Sequence, residues 1–139
     1  MVRPSLKPLS VLALDIDHFK EVNDVHRHGT GDAGLKRFAE KAQGTLRTTD
    51  ILGRTGGEEF ALVLPDAARP SAVAVAEKLR TAIEADFVPG MPPTITVSIG
   101  VATIGQGDTT IQSALEEADS ALYQARRTGR IRVVAAGSF

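Results

Sequence analysis

The apolar pattern changes its period several times along the chain, and that alternation restricts the fold more than any other feature. Ile95, Val97, Ile99 and Val101 alternate with Thr94, Thr96, Ser98 and Gly100, a period of two that predicts a half-buried strand. On either side the period lengthens. Ala72, Ala76, Leu79 and Ile83 within Ser71 to Ala85, and Ile111, Ala114, Leu115, Ala118 and Leu122 further on, recur at threes and fours and predict amphipathic helices. Leu35, Phe38, Ala39, Ala42 and Leu46 form a similar stripe, with Lys36, Arg37, Glu40 and Lys41 outside it. Val11 to Ile16 is a short β-rich run ending in Asp15-Ile16-Asp17, which predicts a buried strand with a polar C-terminal end. Phe19 to about Arg27 reads as a short helix with Asp17 as its N-cap, and Gly29, Gly31 and Asp32 end it and start the next. Ile51 to Thr55 and Glu58 to Leu64 flank Gly56-Gly57, a glycine pair able to supply the positive φ angles of a primed hairpin turn. Gly129 stands where a helix C-cap belongs, and Ile131 to Val134 can close a sheet.

The order strand, helices, hairpin, helix, strand, helix, strand places the chain in the α/β or α+β class, with helices packed on a mixed sheet of about five strands. With 139 residues it is one domain, since two cores would not fit. Hydrophobic residues at 42% and charged residues at 24% exclude a disordered or fibrous chain. Sixteen Lys and Arg against seventeen Asp and Glu leave a net charge of −1, so nothing draws the whole domain toward a nucleic acid polymer or an anionic membrane. No cysteine is present, which removes disulfides, thiolate metal sites and cysteine nucleophiles. Apolar runs such as Val11 to Leu14 and Ala61 to Leu64 fall far short of the roughly 20 residues that span a bilayer. Met1 to Pro8 carries Arg3 and Lys7 without an apolar stretch, so it does not read as a secretory signal.

Carboxylates gather where strands end: Asp15 and Asp17, the stretch from Asn23-Asp24 to Asp32, and Glu58-Glu59. If the first strand and the hairpin are neighbours, Asp15 meets Glu58. Two ionised carboxylates about 4 Å apart repel by roughly 4 kcal/mol at an effective dielectric near 20, so such a cluster calls for a cation. With oxygen ligands only, the hard cation Mg²⁺ is favoured over zinc, and the Ile16 carbonyl between the two aspartates is a further candidate ligand. Gly56-Gly57 leaves room for phosphate groups to approach the main chain. Either motif alone also serves as a turn and cap, or as a solvated hairpin. Together they point to a metal and phosphate site. His18, His26 and His28 lack a matched fourth ligand and read as structural or surface residues.

These residues also carry a family resemblance. Leu14-Asp15-Ile16-Asp17-His18-Phe19-Lys20, Asn23-Asp24, His28, Gly31-Asp32 and Arg54-Thr55-Gly56-Gly57-Glu58-Glu59-Phe60 resemble the GGDEF domain of diguanylate cyclases, in its GGEEF form. Thr96 to Ala102, Ala118 to Arg126 and Gly129-Arg130 follow in family order, so the resemblance runs from about Val11 to Val133. It implies a mainly antiparallel, nucleotide-cyclase palm-like sheet, with the GGEEF motif on a β-hairpin, and the joining of two GTP into cyclic di-GMP, a bacterial second messenger, with release of two pyrophosphates. It further implies that Asp15, Glu58 and the Ile16 carbonyl bind Mg²⁺ or Mn²⁺, and that Glu59 is a second metal ligand or helps to deprotonate the attacking hydroxyl. Asn23 and Asp32 resemble the guanine readers, because a carboxylate accepts from guanine N1–H where adenine has no such donor. Phe19, Gly56 and Gly57 belong to the substrate-binding set, and Lys20, Arg126 and Arg130 are placed to meet the triphosphate. Arg47-Thr48-Thr49-Asp50 resembles the family's RxxD product-inhibition site, with Lys78 as a further basic contact. One domain holds one GTP, so the resemblance implies a transient homodimer with a second GGDEF domain, working in the cytoplasm.

The sequence departs from the family pattern at Arg27, where Gly is usual, at Gly34, where a β-branched residue is usual, and at Arg126, where Lys is usual. The segment that usually precedes the first strand is not seen before Val11, so the chain reads as one N-terminally trimmed GGDEF domain over residues 1–139, flexible over residues 1–9. Two other readings stand beside the cyclase: a weak or inactive module that binds cyclic di-GMP or GTP as a receptor, and an interaction domain.

Overall fold

The computed structural model describes residues 7–17, 28–85, 96–104 and 110–136, and the side chains within them except those of 28–34. The chain runs through β1 (Leu9–Ile16), α1 (His28–Thr45), β2 (Ile51–Arg54), β3 (Glu59–Pro65), α2 (Arg69–Glu84), β4 (Val97–Ile104), α3 (Ile111–Arg127) and β5 (Val133–Ala135). The five strands form one sheet in the order β2-β3-β1-β4-β5. β1 is central and antiparallel to both β3 and β4, and only β5 runs parallel to its neighbour. This is the mixed, mainly antiparallel sheet flanked by helices that the resemblance implies.

Each face of the sheet buries its own cluster. Leu12, Leu14 and Ile16 of β1, Phe60, Leu62 and Leu64 of β3, and Val97, Ile99 and Val101 of β4 pack against Leu35, Phe38 and Ala42 of α1 and Ala72, Ala76, Leu79 and Ile83 of α2. The alternate residues, Val11 and Ala13 of β1 and Ala102 and Ile104 of β4, face Ala114, Ala118 and Leu122 of α3. The period of two in the strands and of 3.6 in the helices thus deliver apolar side chains to two layers.

The expected half-buried β4 is instead buried on both faces. The polar members of the alternation, Ser98 and Gly100, lie under α3 because that helix is lined with alanine and comes unusually close: a Cβ added to Gly100 would stand 2.1 Å from the Ala118 carbonyl oxygen and 2.3 Å from the Leu122 nitrogen. A parallel strand beside Ile99 to Val101 and a helix on each face leave β4 buried except at the half-buried Thr103. Ile111, expected on the buried stripe of α3, is 53% exposed, and Ala121 and Ala125 complete the stripe instead.

Helix boundaries also shift. α1 begins at His28, so Gly29 and Gly31 lie in its first turn rather than before it; packing of Leu35, Phe38 and Ala42 outweighs their weak helix propensity. α2 begins at Arg69 with Pro70 in its first turn, where a missing N–H costs nothing. The helix expected from Phe19 to Arg27 lies outside the described residues.

The hairpin turn differs in kind. Neither Gly56 nor Gly57 takes the left-handed conformation. Thr55 N–H and Gly56 N–H both donate to the Glu59 carbonyl at 2.9 and 3.2 Å, and the Arg54 guanidinium donates to the carbonyls of Gly56 and Gly57. A longer loop tied by a side chain turns the strand without a primed two-residue turn.

Candidate functional site

The C-terminal end of β1 gathers the acids. Asp15 is opposite Glu59 on β3 and opposite Ser98 on β4, and directly opposed residues in an antiparallel ladder share a face. Ile16 N–H donates to the Glu58 carbonyl at 3.2 Å, which ties the hairpin tip to the end of the central strand. The Ile16 side chain is in the core. Sequence-distant acids therefore meet, with Glu59 rather than Glu58 standing across from Asp15.

Asp15 is only 3% exposed. Its Oδ2 lies 3.0 Å from Nη1 of Arg126, on the last turn of α3, and its Oδ1 is buried with no hydrogen-bond partner. Burial pushes its carboxyl up from 3.8 to about 6, the Arg126 charge opposes that, and Glu58, Glu59 and Asp17 add to it. Among the described residues the site holds more negative charge than Arg126 offsets.

That imbalance is the observation against which a metal is tested. A buried oxygen without a partner and, among the described residues, carboxylates with no sulfur or imidazole beside them suit a hard divalent cation. Among the described residues no three His, Cys, Asp or Glu side chains close on a single point. Mg²⁺ fits such a sparse set, because it keeps waters and takes substrate phosphates as ligands. Asp15, Glu58, Glu59 and the Ile16 carbonyl are the groups that would hold it.

Gly56 has a local use. A Cβ there would stand 3.4 Å from Glu59 Oε2, so the glycine leaves space for that carboxylate, while nothing stands within 4 Å of a Cβ at Gly57. On the helix side, the rings of Phe38 and Phe60 pack at a 42° tilt with centroids 4.5 Å apart, holding α1 against β3. An open cleft of about 370 Å³ lies beside them, lined by Leu35, Lys36, Ala39, Arg54 and Phe60. A larger cleft of about 600 Å³, between Arg69, Val73, Gln124 and Val133, is lined by none of these acids.

Asp17 has a role the sequence did not suggest. It is 6% exposed and accepts hydrogen bonds from Thr96 Oγ1 at 2.9 Å, Ser98 Oγ at 2.6 Å and Ile131 N–H at 3.3 Å. It thus joins β1, β4 and the loop after α3. That loop contains Gly129 at φ 129°, Arg130 at 63° and Ile131 at 50°. Arg130 N–H reaches back to the Ala125 carbonyl at 2.9 Å, closing α3 as a Schellman turn with Gly129 just past the cap. The polar residues alternating along β4 were the available signal. Their partner could not be read, because it is 79 positions away from Thr96.

Other site residues fall as follows. Asp32 sits in the N-terminal part of α1. Phe19, Lys20 and Asn23 lie outside the described residues, as does Arg27. Arg47 folds over Asp50: the Arg47 backbone N–H donates to Asp50 Oδ2 at 2.9 Å and its Nη2 to Oδ1 at 3.1 Å, with a further bond from Nη2 to the Pro65 carbonyl at 2.8 Å. The Asp50 side chain is 3% exposed and that of Arg47 58%. Lys78 is on the exposed side of α2. No described helix is long and apolar enough to cross a membrane.

A family model described as "Diguanylate cyclase, GGDEF domain" matches residues 2–132. The chain is 41% identical over 137 residues to the response regulator PleD of Caulobacter vibrioides, covering 91% of this chain and 29% of PleD, so it spans under a third of that curated relative. Among solved structures, the active GGEEF domain of a diguanylate cyclase from Vibrio cholerae superposes with a TM-score of 0.89 at 33% identity, over 96% of this chain and 85% of that one. The GGDEF domain of DgcB from Caulobacter crescentus, in complex with c-di-GMP, superposes with a TM-score of 0.88 at 34% identity, over 94% and 79%.

Proposed function

The chain belongs to the GGDEF domain family of diguanylate cyclases, and on that premise we propose that it condenses two GTP molecules into cyclic di-GMP in the cytoplasm. The observation that carries this reading is the buried Asp15, one oxygen without a partner, directly across the ladder from Glu59.

The 3′-hydroxyl of one GTP attacks the α-phosphorus of the other, and the bond from that phosphorus to the bridging oxygen breaks to release pyrophosphate. The reciprocal attack closes the ring and releases the second pyrophosphate. A divalent metal, when bound, neutralises phosphate charge and lowers the pKa of the attacking hydroxyl. Asp15, Glu58 and the Ile16 carbonyl would hold it, and Glu59 would be a second metal ligand or help to take the hydroxyl proton. Asn23 and Asp32 read guanine, with Phe19 beside them. Lys20, Arg126 and Arg130 take the triphosphate, and Gly56 and Gly57 keep the hairpin main chain approachable. Each domain positions one nucleotide, so turnover needs a second copy facing the first.

Arg47 and Asp50 form the product-inhibition site, with Lys78 as a third contact. An arginine fork suits guanine O6 and N7, and a carboxylate suits its N–H edge. The same pair supports a second reading, a receptor that binds cyclic di-GMP or GTP without turnover, since Arg47 and Asp50 are already held side by side.

Incubation with GTP and Mg²⁺ at several protein concentrations, with nucleotides separated by chromatography, distinguishes these readings. A cyclase makes cyclic di-GMP at a rate rising more than linearly with protein, and Glu59→Gln abolishes it while the fold stays intact. Nucleotide binding without product favours the receptor, and neither binding nor product leaves only an interaction domain.

A further inference from the structure

We propose that Arg126 is a built-in counter-cation that holds Asp15 until a metal–triphosphate complex arrives, so that the domain discriminates against free divalent metal and takes metal and nucleotide together. This rests on the reading of Asp15 as a metal ligand.

The geometry of the pair is one-sided. Asp15 is fixed, because it sits on the central strand with a ladder on each side and a side chain 4% exposed. Arg126 lies on the last turn of α3 with a side chain 43% exposed, and its guanidinium reaches inward to the carboxylate at 3.0 Å. The anion cannot leave and the cation can.

The ionised form of a buried carboxylate near Glu58 and Glu59 is favoured by positive charge beside it, and among the described contacts Arg126 is the group that supplies it. A guanidinium stays charged at any accessible pH, so it cannot yield by losing a proton. A free divalent cation approaching the same carboxylate must either sit beside that charge or displace it into solvent. The triphosphate removes this conflict: its negative oxygens offer Arg126 a new partner as Asp15 is taken over by the metal. Linkage then requires metal and nucleotide to tighten each other's binding reciprocally.

The test measures Mn²⁺ binding by the loss of its free electron-paramagnetic-resonance signal beyond the loss seen without protein, with and without an α,β-methylene analogue of GTP, on the parent chain, Arg126→Gln, Arg126→Lys and Asp15→Asn. Without nucleotide, Arg126→Gln is expected to bind Mn²⁺ about tenfold more tightly than the parent, and to lose most of the enhancement that the analogue produces. Arg126→Lys, which keeps the charge, should stay near the parent, and Arg126→Met provides the same comparison should the glutamine variant fold poorly. Equal or weaker metal binding by the neutral variants, with Asp15→Asn removing no more free Mn²⁺ signal than buffer alone or the analogue alone, overturns the counter-cation role and leaves the metal-site reading intact. Mn²⁺ binding by Asp15→Asn that matches the parent with analogue present overturns the metal-site reading and this inference with it.

Discussion

Nη1 of Arg126 stands 3.0 Å from Oδ2 of Asp15, joining the last turn of α3 to a carboxylate at the end of the sheet's central strand. The contact offsets part of the cost of burying that carboxylate, and the other carboxylate oxygen still has no partner. The site is therefore built under electrostatic tension, and its pH dependence should show it.

Asp15 titrates near 6 in the folded chain against 3.8 for an ordinary aspartate. Below the unfolded value both states carry the proton and the folded chain keeps its full stability from this group. As pH rises from about 4 through 6, the unfolded state ionises first, and stability falls by up to about 3 kcal/mol. Asp15→Asn removes that dependence. Urea unfolding of the metal-free chains at pH 4.5 and 7.5 should show the variant gaining on the parent by up to this amount at the higher pH. A gap that does not change with pH would show that Asp15 has an ordinary pKa.

Gly100→Ala should destabilise the fold by about 3 kcal/mol or more, since its Cβ would meet backbone atoms of α3 that cannot rotate away. The urea midpoint reports it. Gly53→Ala is the control: nothing lies within 4 Å of a Cβ there, so no steric penalty is expected.

Asp17→Ala strands the Thr96 and Ser98 hydroxyl donors, while the Ile131 N–H keeps Ser98 Oγ at 3.2 Å, at a cost of about 3 kcal/mol in thermal or urea unfolding. Ile131 itself holds a left-handed φ that a β-branched residue rarely adopts, and it is 44% exposed. Ile131→Gly should therefore leave stability unchanged or raise it by up to about 1 kcal/mol. A clear loss in that variant would mean that the side chain matters more than the backbone strain.

Arg47→Ala should weaken cyclic di-GMP binding by about 10- to 100-fold in calorimetry, while unfolding shifts by no more than about 1 kcal/mol. Binding at parental affinity would remove the inhibitory site from Arg47 and Asp50.

Much of this was legible in the sequence, because apolar periodicity is a local quantity. Leu12, Leu14 and Leu62 as strand core, Ala72, Ala76, Leu79 and Ile83 as one helix face, and Gly129 as a helix terminator each follow from neighbours within a few positions. The hairpin was legible as a hairpin but not in its turn type, because Arg54 replaces glycine conformation with hydrogen bonds from a side chain. Gly100 read as the polar side of a strand, since its real neighbour is a helix backbone some twenty residues on.

The chain's own order of residues determined which segments would be strands and helices and which acids would stand at strand ends. Tertiary structure alone decided the pairings: Glu59 across from Asp15, Arg126 against its carboxylate, and Asp17 as a bolt between β1, β4 and the loop after α3. Periodicity is written in spacings of two to four residues, whereas register and charge pairing arise only when the sheet assembles and brings distant parts of the chain within a few ångströms.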